Sequence, residues 1–173
     1  MGLFGRRHDD APGPGAPAPV EVDPAFADVE DDDGRPLRPT TAPPSAEDLA
    51  RIAGSLEALV AEGVDIDVLT SLSDGYDRAY AAWAGADPGS RADHAEVVAR
   101  YACGIGEHLH RHTDLDWAVV TDVFGTDLAV AGGVSGAFTV VPSNLVAARW
   151  MRGETGWIQG VVGHLVTLRS RRR

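Results

Sequence analysis

The chain contains no lysine; all 15 of its basic residues are arginine. With abundant Ala, Asp and Gly, that usage is a compositional mark of a GC-rich genome. Cysteine is nearly absent too. Cys103 stands alone among 173 residues, which excludes an internal disulfide and a thiolate-based zinc site within one chain. A single thiol fits a reducing compartment. No apolar run approaches the roughly 18 residues that a membrane-crossing helix needs. A secretory leader is not expected either, because Met1-Gly2-Leu3-Phe4-Gly5-Arg6-Arg7 runs into Asp9, Asp10 and prolines where an apolar stretch belongs. Arg6 also stands where a myristoylation signal has Ser or Thr. The expected location is the cytoplasm. The net charge of −11 repels phosphate and argues against general nucleic-acid binding.

What is present divides the chain into three parts. Nine of the eleven prolines lie within residues 1–44, and most acids of that segment cluster at Asp28–Asp33. Proline removes backbone donors and dense like charge repels itself, so residues 1–45 are expected to form a disordered arm. Within it, Leu3 and Phe4 are candidate interaction residues. Residues 46–168 are expected to fold as a single α+β domain, and 169–173 form an Arg-rich tail.

The domain opens with a helix capped by Ser45, with Glu47 and Asp48 in its first turn and an apolar face through Ile52, Leu56 and Leu59. Gly63 supplies its stop. A second helix is expected over about 66–84, with Leu69, Leu72, Tyr76, Tyr80 and Trp83 on one face. A third, over about 90–112, takes Ser90 as its cap and Asp93 at the third helical position. Val97, Val98, Tyr101, Ile105 and Leu109 form its apolar stripe. After Asp114 the period changes from helix to strand. Strands are expected over 117–123, 128–131 and 138–141, joined by a turn at 124–127 and a glycine loop at 132–136. Two C-terminal helices follow, the first capped by Ser143 and ended near Gly153, the second over about 155–168. The architecture is therefore N-terminal helices, a three- or four-stranded antiparallel sheet, and C-terminal helices packed on it.

Chemistry-bearing residues are sparse. His94, His108 and His112 point the same way on the third helix, and the i,i+4 pair His108/His112 has a spacing that can hold a metal. Asp114, Asp116 and His164 are the available third ligands, and no cofactor is expected. The bland alternative is that these histidines edge the core. Glu107 and Arg111, also at i,i+4, read as a surface ion pair. Gly132–Gly136 lacks the lysine and hydroxyl of a phosphate loop. Ser135 has no nucleophile elbow around it. Cys103, mid-helix, has nothing to activate it. Trp150 and Trp157 flank a glycine-containing junction and are candidate interaction residues, with core packing as the alternative.

From the third helix to residue 154 the chain resembles a family of actinobacterial domains of unknown function. The resemblance rests on Gly104, Gly106 and Glu107, then Asp116-Trp117, then Val140-Val141-Pro142, then Gly153-Glu154. It implies a small α+β protein that acts through binding, and it brings no catalytic residues with it.

These features point to a non-enzymatic protein-interaction or regulatory module, an immunity-like role being one form of it, whose partner is another protein. Nucleic acid and membrane are not the expected partners, and homo-dimerisation through an open sheet edge stays open. A metal-binding protein or small enzyme using the histidine face is one alternative. A peripheral membrane protein held by Leu3, Phe4 and the terminal arginines is another.

Overall fold

The computed structural model describes residues 39–89, 91, 93–133 and 138–170. Most of the expected arm, with Leu3 and Phe4, lies outside the described residues, as do Ser90, Ser135 and Arg171–Arg173.

Helix α1 spans Ala46–Ala61 and begins as its sequence dictates. The Asp48 amide donates to Ser45 Oγ at 3.1 Å, and the Ser45 amide donates to Asp48 Oδ2 at 3.0 Å. This reciprocal capping box satisfies two amides that the helix leaves unpaired. Gly63, at φ 76°, then turns the chain out of the helix.

Helix α2 spans Leu69–Gly85, three residues later than expected. Asp65 to Val68 form a turn instead. The Asp67 amide donates to Asp65 Oδ1, and the Asp65 amide donates to Ser71 Oγ. Side-chain acceptors thus compete successfully with helical hydrogen bonding. Helix α3 spans Ala95–His112, so Asp93 precedes it rather than lying inside it, and its Oδ1 accepts from the Ala95 amide.

Every residue from Tyr101 to Gly106 on α3 is buried. A single apolar stripe does not describe such a helix; α3 is the central strut of the fold. Small residues make this possible. Gly104 admits Leu59 of α1 and Leu72 of α2, and Gly106 admits the ring of Trp117. The strut is tied off at Thr113, whose hydroxyl donates to the Leu109 carbonyl and accepts from the Leu115 amide.

The sheet has four strands in the order β1-β2-β3-β4, all antiparallel. Strand β2 (Asp116–Asp122) and strand β3 (Gly125–Gly132) form a hairpin, flanked by β1 (Thr40–Ala42) and β4 (Phe138–Val140). β1 lies inside the segment expected to be an arm. Order therefore begins before Ser45, because Thr40, Thr41 and Ala42 pair with Thr121, Val120 and Val119. Trp117, Val130 and Val140 lie in one row across three strands and face α3.

Helix α4 (Pro142–Arg152) and helix α5 (Trp157–Arg169) complete the helical layer. Ser143 does not cap α4; the cap position is Val141, and Pro142 takes the first turn, where its missing N–H costs nothing. Gly153 ends α4 at φ 67°. Trp150 and Trp157 pack edge-on against Tyr76, each with ring centroids 5.7 Å from it. Both are buried, which agrees with the core-packing reading of these two candidate interaction residues. The aromatic cluster draws them inward even though the Trp150 indole N–H has no hydrogen-bond partner among the described residues.

Candidate functional site

The histidine face separates into two unrelated places. His94 sits just ahead of α3, with its ring 5.7 Å from that of Trp83. His108 and His112 lie about 20–27 Å further along the helix axis. There the His108 Nδ1–H donates to the Ile66 carbonyl at 2.7 Å. A carbonyl can only accept, so this bond fixes the tautomer and leaves Nε2 as the bare nitrogen. Burial pushes the His108 pKa below its usual value and holds the ring neutral.

His112 stacks on His108 with centroids 4.4 Å apart and donates from Nε2 to Asp67 Oδ1 at 3.2 Å. Arg111 bridges Asp67 and Glu107. These groups fasten the α1–α2 turn to the end of α3. The candidate third ligands lie elsewhere. Asp114 pairs with Arg169, and Asp116 lies 3.5 Å from His110. His164 is exposed on α5. Among the described residues no group of three side chains could hold a metal ion. The two histidines do lie together, with Nε2 of His108 bare, but His112 is held by a carboxylate and no third ligand stands beside them among the described residues.

Glu107 is less exposed than a surface pair requires, with 14% of its side chain accessible. Its Oε1 accepts from Arg111 and its Oε2 from the Trp117 indole N–H at 2.9 Å. Burial alone would raise its pKa, but the hydrogen bonds from Trp117 and Arg111 outweigh it and hold the carboxyl below its usual range. Such a group is a poor general acid. Cys103 is buried beside a cavity of about 100 Å³ lined also by Arg51, Trp117, Leu128 and Ser143. Burial pushes its thiol up, away from reactivity. Arg169 belongs to α5 rather than to a solvated tail, and its guanidinium also lies over the Phe138 ring.

Sequence reasoning missed a cleft of about 560 Å³ between α2 and α3. Ala79, Ala82 and Trp83 line one side and Val97 and Tyr101 the other, with Val64 at the floor. Gly75 keeps the floor open to these neighbours. A Cβ there would stand 2.6 Å from Val64 Cγ2 and 3.0 Å from the Tyr101 hydroxyl. Burial raises the Tyr101 hydroxyl to about 12, so it stays protonated.

Arg78 of α2 and Arg100 of α3 line the same cleft. Arg100 pairs with Glu62, whereas Arg78 makes no ion pair or hydrogen bond with the described residues. Arg91 lies beside the lining residues Trp83 and Ala86. Its guanidinium lies 4.5 Å from the Trp83 ring centroid and donates to the carbonyls of Ala84 and Ala86. The arrangement is an apolar trough with cationic walls. Helical periodicity gave no sign of it, because its two walls come from elements on either side of a loop.

No helix among the described residues is long and apolar enough to cross a membrane. Comparison with known protein families, curated proteins and solved structures finds no match to this chain.

Proposed function

We propose that this chain is a non-enzymatic interaction module of the cytoplasm that holds a protein partner in the α2–α3 cleft. One observation carries the reading. Arg78, without a partner among the described residues, lines an apolar trough that also presents Trp83 and Arg100. Aromatic and arginine side chains lining a concavity are the groups most enriched among those that dominate protein recognition. An unpaired guanidinium supplies a directional contact for a carboxylate of the partner.

The groups with chemical potential support the same reading, because each is already committed. The Cys103 thiol is buried, Glu107 is held ionised by two donors, and His108 spends its proton on a backbone carbonyl. Arg78 is different, and it is exposed.

The test is capture from the native host with the full-length chain as bait, beside the same chain carrying Arg78→Glu. A specific partner held by the wild type and lost with the variant is the expected result. Equal capture by both baits, or capture by neither, would remove the cleft from the function.

A further inference from the structure

Tyr101 lies at the floor of the α2–α3 cleft, and its hydroxyl is uncommitted. The residue is only 1% exposed, yet the hydroxyl has no hydrogen-bond partner among the described residues. Gly75, which also lines the cleft, brings no side chain to cover it; a Cβ there would come within 3.0 Å of the oxygen. Burial raises the Tyr101 pKa to about 12, so the group keeps its proton and remains a donor. Buried donors are almost always paired. An orphan at the floor of an open cleft therefore marks a place for an acceptor from outside.

The charges around the hydroxyl set the kind of acceptor. Arg78, Arg100 and Glu62 all line the cleft, and all three act electrostatically on Tyr101. Arg100 is paired with Glu62, whereas Arg78 has no partner among the described residues. One uncommitted positive charge beside a neutral donor suits a monoanion. Glu62 stays in the lining and opposes a dianion such as a phosphate monoester. A guanidinium and a phenol together match a carboxylate, which accepts charge-assisted hydrogen bonds from both. The walls between them, Val64, Ala79, Ala82 and Val97, are apolar. A volume of about 560 Å³ is of the size that small-molecule sites have.

We infer that the cleft is a binding site for a small monocarboxylic acid with an apolar body, its carboxylate received by the Tyr101 hydroxyl and the Arg78 guanidinium. The inference rests on the cleft as the recognition site but goes beyond partner capture. An acid held at Arg78 takes the contact that a partner's carboxylate needs, so the two compete.

Titration of the full-length chain with phenylacetate, followed by ligand-detected NMR, tests this. Phenylacetamide and phenyl phosphate serve as the neutral and dianionic counterparts. Phenylacetate should bind saturably and about tenfold more tightly than either, the weight of one charge-assisted contact. Arg78→Gln should weaken its binding about tenfold, and Tyr101→Phe about fivefold. Tyr101→Phe should leave the melting temperature unchanged, because the hydroxyl it removes has no partner among the described residues. No saturable binding of phenylacetate, equal binding of the amide, tighter binding of the phosphate, or an affinity unmoved by either variant would overturn the inference. A lower melting temperature for Tyr101→Phe would do the same, since the hydroxyl would then serve the fold. Host capture is read separately. A chain that binds the acid but captures no partner loses the partner reading alone; one that captures a partner through Arg78 but ignores the acid loses this inference alone.

Discussion

The indole of Trp117 occupies the space that a side chain on Gly106 would need. A Cβ at Gly106 would stand 2.7 Å from Trp117 Cζ2. β2 and α3 can pack at this distance only because residue 106 has no side chain.

Gly106→Ala should therefore destabilise the fold by about 1–3 kcal/mol, the usual cost of overpacking a closed contact. Urea denaturation followed by far-UV circular dichroism measures it. Trp117→Leu in the same chain should recover part of the loss, giving a non-additive pair. An additive pair would mean that the two residues do not share the space described.

The same indole binds the neighbouring residue, Glu107, through its N–H. Glu107→Gln keeps an acceptor for Trp117 but loses the charge that Arg111 meets. The expected cost is about 1 kcal/mol at neutral pH. Because the folded-state pKa of Glu107 is lowered, its contribution is present above the ordinary glutamate range and lost as pH falls through the folded value. Wild type and variant should therefore converge in stability on acidification. A gap that is constant with pH would count against the pair.

His108 contributes a different pH dependence. Its folded-state pKa lies below the unfolded value, so the unfolded chain binds the extra proton and stability drops as pH falls below about 6.5. The groups around it are His112, Asp67 and Arg111. His108→Gln should be less stable at neutral pH but flatter between about pH 7 and pH 5. Thermal melts across that range decide it, and an unchanged slope would place the dependence elsewhere.

Calorimetric titration with zinc should show no stoichiometric uptake, since the bare Nε2 of His108 has no set of further ligands beside it among the described residues and His112 is engaged by Asp67. A one-site isotherm that His108→Ala abolishes would restore a metal centre at this face.

A chain beginning at residue 39 should keep the stability of its domain, whereas one beginning at residue 46 should not. The shorter chain loses β1 and the Ser45 capping box. The cap alone is worth about 1 kcal/mol, so the melting temperature should fall by at least about 4 °C. Equal melting temperatures would make β1 and the cap dispensable.

The parts of this fold that could be read in advance are those whose determinants are local. Ser45 and Asp48 mark the start of α1 within four residues, and Gly63 and Gly153 mark ends by their backbone conformation. Where the determinant is a distant partner, the chain is silent. Thr40-Thr41-Ala42 has no strand signal amid prolines, and only its pairing with β2 makes it one. Ile66 fits a helical period, yet its carbonyl is held by His108, forty-two residues away, outside any helix. Burial around α3 escaped the periodicity because glycine, alanine and cysteine carry little hydrophobic weight while admitting close neighbours. For the candidate site, Trp83 could be placed on its helix face, but the meeting of Arg78 with Arg100 has no expression in sequence spacing.

The first edge of the sheet is a three-residue strand between Pro39 and Pro43-Pro44. Prolines have no amide hydrogen to offer, so an incoming strand that aligned with β1 would run out of donors at both ends of the ladder. The chain thus carries its own safeguard against growth by strand addition. A second copy, or a misfolded one, would find too short a template on that edge to propagate fibrils or to build a continuous intermolecular sheet.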